Sequence, residues 1–171
     1  MNITLIGMPG VGKSVVGKEL AEKLGYTFLD LDELIEEKTK LKLQEIIDRL
    51  GDKRFMEIEE KTILGLGDID NCIISPGGSM VYSSKAMDFL KKSSIIIFLD
   101  LPLKNIREQI TDLSTRGIVG LEKGLEQLFR ERVPLYRRYA DITISMPEGY
   151  DKKDAAEEII RNVFREKREK R

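Results

Sequence analysis

Apolar positions along this chain fall into two alternating rhythms. Ile3-Thr4-Leu5-Ile6, Tyr26-Thr27-Phe28-Leu29, Asn71-Cys72-Ile73-Ile74-Ser75, Ser94-Ile95-Ile96-Ile97-Phe98-Leu99 and Asp141-Ile142-Thr143-Ile144-Ser145 are short apolar runs that predict five strands. Between them apolar residues recur at helical spacing. Val15, Val16, Leu20, Ala21 and Leu24 share one helix face, which Gly25 ends in the usual C′ position. From Leu34 to Leu66 the pattern is helical, broken near Lys38–Lys42 and at Gly51, which predicts three short helices with no strand between them. Such an insertion is the natural place for a substrate-binding unit. Ser84 to Lys92 reads as a helix, and Pro102 opens another that runs to about Asp112. Periodicity fails from Leu113 to Gly124, where Gly117, Gly120 and Gly124 punctuate charges and predict a mobile loop. Helices follow over about Leu125–Tyr139, bent or interrupted at Pro134, and from Lys152 to about Lys170. Strands alternating with helices, and apolar on both faces, predict an α/β fold with a parallel sheet covered on both sides.

The first strand and helix enclose Gly7-Met8-Pro9-Gly10-Val11-Gly12-Lys13-Ser14, which fills the pattern Gly-x-x-x-x-Gly-Lys-Ser/Thr. Glycines let successive backbone N–H groups converge on phosphate oxygens, and a helix N-terminus adds about half a positive charge. In this pattern Lys13 reaches the β- and γ-phosphates of a nucleotide and the Ser14 hydroxyl ligates Mg²⁺. Strand, loop and helix together predict an ATP-binding phosphate loop.

Composition narrows the chemistry. The 171 residues suffice for one domain with a real core, and 29 basic against 30 acidic side chains leave a formal charge of −1. No global field draws the chain to nucleic acid, and the basic stretch Arg161–Arg171 is what a helix C-terminus ordinarily carries. No run approaches the length of a membrane span, and the N-terminus reads as a strand and not a signal peptide. The single cysteine, Cys72, excludes an internal disulfide and fits a reducing, cytoplasmic compartment. The absence of histidine removes His-based metal sites and Ser-His or Cys-His catalysis, so any catalytic base is a carboxylate. Many Glu and Lys with only three Gln and four Asn hint at a thermophile. A GTPase-like switch finds no support, because the one Asp-x-x-Gly, Asp48 to Gly51, ends a helix and no Asn-Lys-x-Asp exists.

The order of motifs resembles the shikimate kinase family over essentially the whole chain. The matching residues are the loop at 7–14, Asp30-Leu31-Asp32, Gly51 with Phe55-Met56-Glu57-Ile58-Glu59, Ser75-Pro76-Gly77-Gly78-Ser79, Arg116, and Arg132-Val-Pro-Leu-Tyr136 before Ala140-Asp141. The resemblance implies a P-loop three-layer sandwich with a five-stranded parallel sheet of order 2-3-1-4-5. It implies a single kinase domain with an acceptor-binding insertion over about 33–66 and a closing lid over about 112–124. It further implies phosphoryl transfer from MgATP to a hydroxyl of shikimate in a monomer. ATP is then held by Gly10, Val11, Gly12, Lys13, Ser14, Val15 and Arg116, and Mg²⁺ by Ser14 and Asp30. Asp32, Gly77, Gly78 and Arg132 hold the acceptor, with Lys13, Asp32 and Arg116 catalytic. On residue chemistry alone, Asp30 equally caps the next helix, Gly77-Gly78 forms an ordinary turn, Arg116 is a solvated loop residue, and Arg132 joins an exposed basic face with Arg130, Arg137 and Arg138.

The sequence departs from the family pattern at the acceptor. Where the family carries an arginine next to Phe55 for the substrate carboxylate, this chain has Met56, and a thioether cannot pair with an acid. Lys53, one turn earlier, shares that helix face, whereas Arg54 lies about 200° away. Ser79 replaces a third glycine, Gln109 or Arg107 stands where an adenine-stacking arginine is usual, and the lid reads Arg116-Gly117-Ile118-Val119. These changes leave open another small alcohol, such as a hydroxy amino acid or polyol, and a silent nucleotide-binding relative.

Overall fold

The computed structural model describes residues 1–110 and 116–169, with side chains as far as Arg165. Five strands, β1 (Asn2–Ile6), β2 (Thr27–Asp30), β3 (Cys72–Ser75), β4 (Ser94–Asp100) and β5 (Ile142–Ser145), form one parallel sheet of order β2-β3-β1-β4-β5. The helices between them are α1 (Lys13–Leu24), α2 (Leu31–Thr39), α3 (Leu43–Leu64), α4 (Ser84–Ser93), α5 (Leu103–Gln109), α6 (Leu125–Tyr139) and α7 (Lys152–Glu169). Short 3₁₀ turns lie at Gly78–Tyr82 and Leu121–Lys123.

Central β1 is buried at every residue, which its continuous apolar run requires of a strand flanked on both sides. Its two polar residues are satisfied. Thr4 Oγ1 lies 2.7 Å from the Ser94 hydroxyl, while the Asn2 side chain donates to Ile69 and Ser93 carbonyls and accepts from the Cys72 N–H. These bonds tie β1 to both neighbours and fix its register, Ile3 opposite Ile73 on one side and Ile95 on the other. The edge strands β2 and β5 are more exposed.

Because all strands run the same way, the loops after β1, β2 and β3 open on one edge of the sheet. The register sets Asp30 opposite Ser75, so β2 and β3 end at the same level. The order reverses at β1, and that crevice is where parallel sheets bind ligands.

The helical insertion is α2 and α3, with α3 kinked where Gly51 takes φ 79°. It builds its own small core of Ile35, Leu43, Ile46 and Phe55, and Val119 completes that core from the predicted lid. This corrects the expectation of a segment held by few contacts. Ile118 and Val119 are buried, and the Gly117 and Gly120 N–H groups donate to Gln44 and Asp52 of α3. Positions 112–115 of that lid, and the predicted end of the Pro102 helix, lie outside the described residues; α5 itself ends at Gln109. Two smaller differences follow from packing. The second strand is shifted by one residue to Thr27–Asp30, and α6 continues through Pro134, where a bend or interruption was expected.

Candidate active site

Twelve residues were singled out by sequence, and the structure brings eleven of them around one cavity of about 500 Å³ at the carboxyl edge of the sheet. Gly10, Gly12, Lys13, Ser14 and Val15 form one end, and Asp30 and Asp32 the floor beside it. Gly77, Gly78 and Arg132 line it as well, Gly78 close to Pro9 of the loop, and Arg116 is the exposed member. Val11 is the exception: its side chain is fully buried beneath the loop, and its N–H is bonded to the Met8 carbonyl.

The loop has the shape its residues allow. Gly12 takes φ 97°, a left-handed conformation that L side chains rarely adopt, and it delivers the chain into α1 with Lys13 as the first helical residue. Lys13 Nζ donates to the Gly7 and Met8 carbonyls at 2.9 and 3.1 Å. Burial lowers its pKa to about 8, against the opposing pull of Asp32. A cation so poorly solvated has much to gain from an anionic phosphate.

Asp30 does two jobs at once. Its Oδ1 accepts from the Asp32 and Glu33 N–H groups as the cap of α2, and its Oδ2 accepts from the Ser14 hydroxyl at 2.7 Å. The capping and phosphate-side readings of this residue are therefore compatible. A hydroxyl and a carboxylate oxygen side by side at the loop are the hard oxygen donors that magnesium takes, with a phosphate supplying further oxygens.

Asp32 lies in the first turn of α2, and its carboxylate has no hydrogen-bond partner in the described structure. Burial, then the neighbouring Asp30, pushes its pKa up to about 6. It is ionised at neutral pH yet more basic than an ordinary carboxylate, as a general base should be.

Arg132 is not part of an exposed basic face. It is 1% exposed, its Nη2 donates to the Val119 carbonyl at 2.7 Å, and its Nε donates to the Tyr82 hydroxyl. Arg130 and Arg137 instead pair with Glu126 and Asp100. A methyl group built on Gly78 would lie 3.1 Å from Arg132 Nη1, so the guanidinium looks directly over that glycine. Tyr136 reinforces the arrangement by donating to the Gly78 carbonyl at 2.6 Å.

Three further residues line the cavity without a role assigned by the sequence pattern: Ser79, Lys152 and Glu59. Lys152 reaches from the start of α7 to the phosphate loop, its Cε 2.8 Å from where a Gly12 Cβ would lie. Glu59 is 3% exposed and accepts a short hydrogen bond from the Ser79 hydroxyl. Gln109 lines the cavity, whereas Arg107 is exposed and paired with Glu126. Met56 does not reach the main cavity. It borders a smaller one, about 230 Å³, with Lys53, Glu59 and Ser79, so Lys53 is no substitute cation inside the site.

Burial raises Glu59 to about 8, with the Ser79 bond opposing. A folded state that keeps this proton to about 8, while an unfolded glutamate releases it near 4.5, binds more protons across that window. Stability from this group therefore falls as pH rises from about 4.5 to about 8. Glu59→Gln is expected to raise the unfolding free energy by on the order of a few kcal/mol at pH 8.5 and by much less at pH 4.5. Urea unfolding at both values checks this; an equal effect at both would mean that Glu59 carries no such penalty.

Comparison with known proteins points to one family. The family profile described as shikimate kinase matches residues 9–164. The chain is 36% identical over 167 residues to the shikimate kinase of Thermodesulfovibrio yellowstonii, covering 96% of this chain and 95% of that one. It is likewise 36% identical over 169 residues to the shikimate kinase of Sulfurihydrogenibium sp., covering 96% and 98%. Among solved structures, shikimate kinase from Acinetobacter baumannii in complex with shikimate superposes with a TM-score of 0.89 at 31% identity, over 97% of this chain and 94% of that one.

Proposed function

The chain belongs to the shikimate kinase family, and we propose that its cavity transfers the γ-phosphoryl group of ATP to a hydroxyl of shikimate, giving shikimate 3-phosphate. It is a phosphotransferase with an alcohol as acceptor, and its place is in aromatic amino acid biosynthesis. The observation that carries the residue assignments is the meeting of a phosphate loop, the Asp32 carboxylate and the buried Arg132 in one cavity.

In this reading Gly10, Val11, Gly12, Ser14 and Val15 hold the nucleotide phosphates through backbone and hydroxyl groups. Lys13 follows the charge of the transferring phosphoryl group. Ser14 and Asp30 would hold Mg²⁺, which supplies charge neutralisation on the phosphates. Asp32 orients the acceptor hydroxyl and takes its proton as the oxygen attacks phosphorus and the bond to ADP breaks. Gly77 and Gly78 let the acceptor lie against the backbone, and Arg132 pairs with its carboxylate. Arg116 closes from the rim, replacing water over the phosphates. The chain acts as a single kinase domain, with the insertion at 33–66 and the lid at 112–124 closing together through Val119. A monomer in the cytoplasm completes the reading.

Coupled assay of ADP release tests it. Turnover that depends on shikimate, with phosphorylated shikimate as product, is the expected result. Nucleotide hydrolysis indifferent to shikimate would overturn it.

A further inference from the structure

The acceptor end of the cavity carries opposite charges over consecutive glycines. Glu59 Oε2 accepts from Ser79, while Oε1 has no hydrogen-bond partner among the described residues. That free oxygen points across Gly77. A methyl group built there would lie 2.4 Å from Glu59 Oε1 and 3.2 Å from Asp32 Oδ1. Two carboxylates therefore face one point in the cavity, and neither has an ion-pair partner in the described structure. Over Gly78 the sign reverses, because Arg132 presents Nη1 there while its Nη2 and Nε are committed to Val119 and Tyr82.

Close carboxylates in a poorly solvated site repel one another unless a cation or a proton lies between them. Burial keeps Glu59 protonated up to about 8 when no such cation is present. The small cavity behind Glu59 and Ser79 supplies none: its one basic side chain, Lys53, is exposed, and Met56 is neutral. Lys13 acts on Asp32 and Arg132 on Glu59 through space without forming an ion pair with either, so a closer positive charge can come from the acceptor side. An anion seat beside a cation seat, both within reach of a base that faces the phosphate loop, matches a zwitterion carrying a hydroxyl.

We propose that this site also phosphorylates hydroxylated α-amino acids, with the ammonium seated between Glu59 and Asp32 over Gly77 and the carboxylate on Arg132 over Gly78. The inference rests on the phosphoryl-transfer reading above and adds a second acceptor class to it. The side-chain hydroxyl oxygen forms a bond to the γ-phosphorus, the bridging bond to ADP breaks, and the hydroxyl proton passes to Asp32 and then to solvent. Asp32 has two oxygens, so Oδ1 can face the ammonium while Oδ2 faces the hydroxyl. An acceptor without an amine leaves Glu59 protonated on Ser79, which is how one pocket serves both classes.

The test compares L-homoserine with 4-hydroxybutyrate, which keeps the hydroxyl and carboxylate but lacks the amine, using ADP release with shikimate as reference. Wild type should favour L-homoserine in kcat/KM by about tenfold or more, the effect of one charge-assisted contact. The preference should collapse to within about twofold in Glu59→Gln, which removes the charge. It should also collapse in Met56→Arg, which introduces a guanidinium into the cavity behind Glu59 and satisfies the carboxylate from there. Having two variants guards against either one failing to fold. Equal use of the two compounds by wild type, no turnover of L-homoserine, or a preference that survives both substitutions overturns the proposal. If shikimate is still turned over in any of these cases, the kinase reading stands. Silence with shikimate and every other acceptor overturns the kinase reading itself.

Discussion

Lys13→Ala lowers kcat by about a thousandfold or more, because no other side chain can take over its position at the loop. Removing a single preorganised donor to developing charge typically costs 10²–10³, and here the donor is a full cation in a site shielded from water. Its Nζ sits among the Gly7 and Met8 carbonyls at the head of α1, where backbone geometry fixes it before any phosphate arrives. Lys152 is the nearest candidate for compensation, since it also reaches Gly12. It comes from α7 against Gly12, and of the two lysines only Lys13 acts on Asp32. The folded state should not suffer, because a lysine whose pKa is held down to about 8 by burial is a desolvation cost that alanine removes. Steady-state kinetics with a thermal melt of the variant decides the matter. A loss of less than tenfold in kcat would take Lys13 out of the transition state and leave it a binding residue only.

The strands were legible because each is a short apolar run, whereas their order came from the resemblance of the motif order to the shikimate kinase family. The insertion was legible for a related reason, since Gly51 breaks a helical pattern that contains no strand. The contacts of Gly117–Gly120 were not legible because periodicity measures contacts within an element. Ile118 and Val119 are adjacent residues with no helical or strand partner in sequence, so they looked unsupported. Val119 is supported by Leu43, Phe55 and Arg132 and Ile118 by the main core, all brought to them from elsewhere in the chain.

The same limit explains which site residues were found. Asp32, Gly77 and Arg132 sit in short patterns whose neighbours announce them. Glu59 was visible only as a letter in a charged helix, one of 30 acidic residues in the chain. A local signal did exist: Phe55, Glu59 and Ile63 are spaced to share one helix face, and all three are buried. A carboxylate on an apolar stripe needs a partner or a purpose, and its partner, Ser79, lies twenty residues away on another element. Lys152 gave no signal at all, since a lysine at the start of a charged helix is ordinary until the loop is seen beside it.

Asp32→Asn is expected to reduce turnover by about 10²–10⁴ while nucleotide still binds. The side chain keeps its size and its place in the first turn of α2, but it can no longer accept the acceptor proton. Nucleotide affinity should hold or rise slightly, because the substitution removes a negative charge that faces Lys13 and the incoming phosphates. The pH profile separates loss of a base from simple disruption. With Asp32 raised to about 6, wild-type kcat/KM should increase as pH rises through that value and level off above it. An ordinary carboxylate would place that limb near 4, and asparagine should erase it from whatever activity remains. Stability should move the opposite way to activity. The folded state binds the Asp32 proton more tightly than the unfolded chain does, so ionisation at neutral pH costs stability that asparagine restores. A variant that is more resistant to urea at pH 7.5, binds nucleotide, and turns over without an acid limb would fix Asp32 as the base. Near wild-type turnover, or a limb that stays near 6 after the substitution, would assign the proton to another group, and Glu59 would be the first to examine.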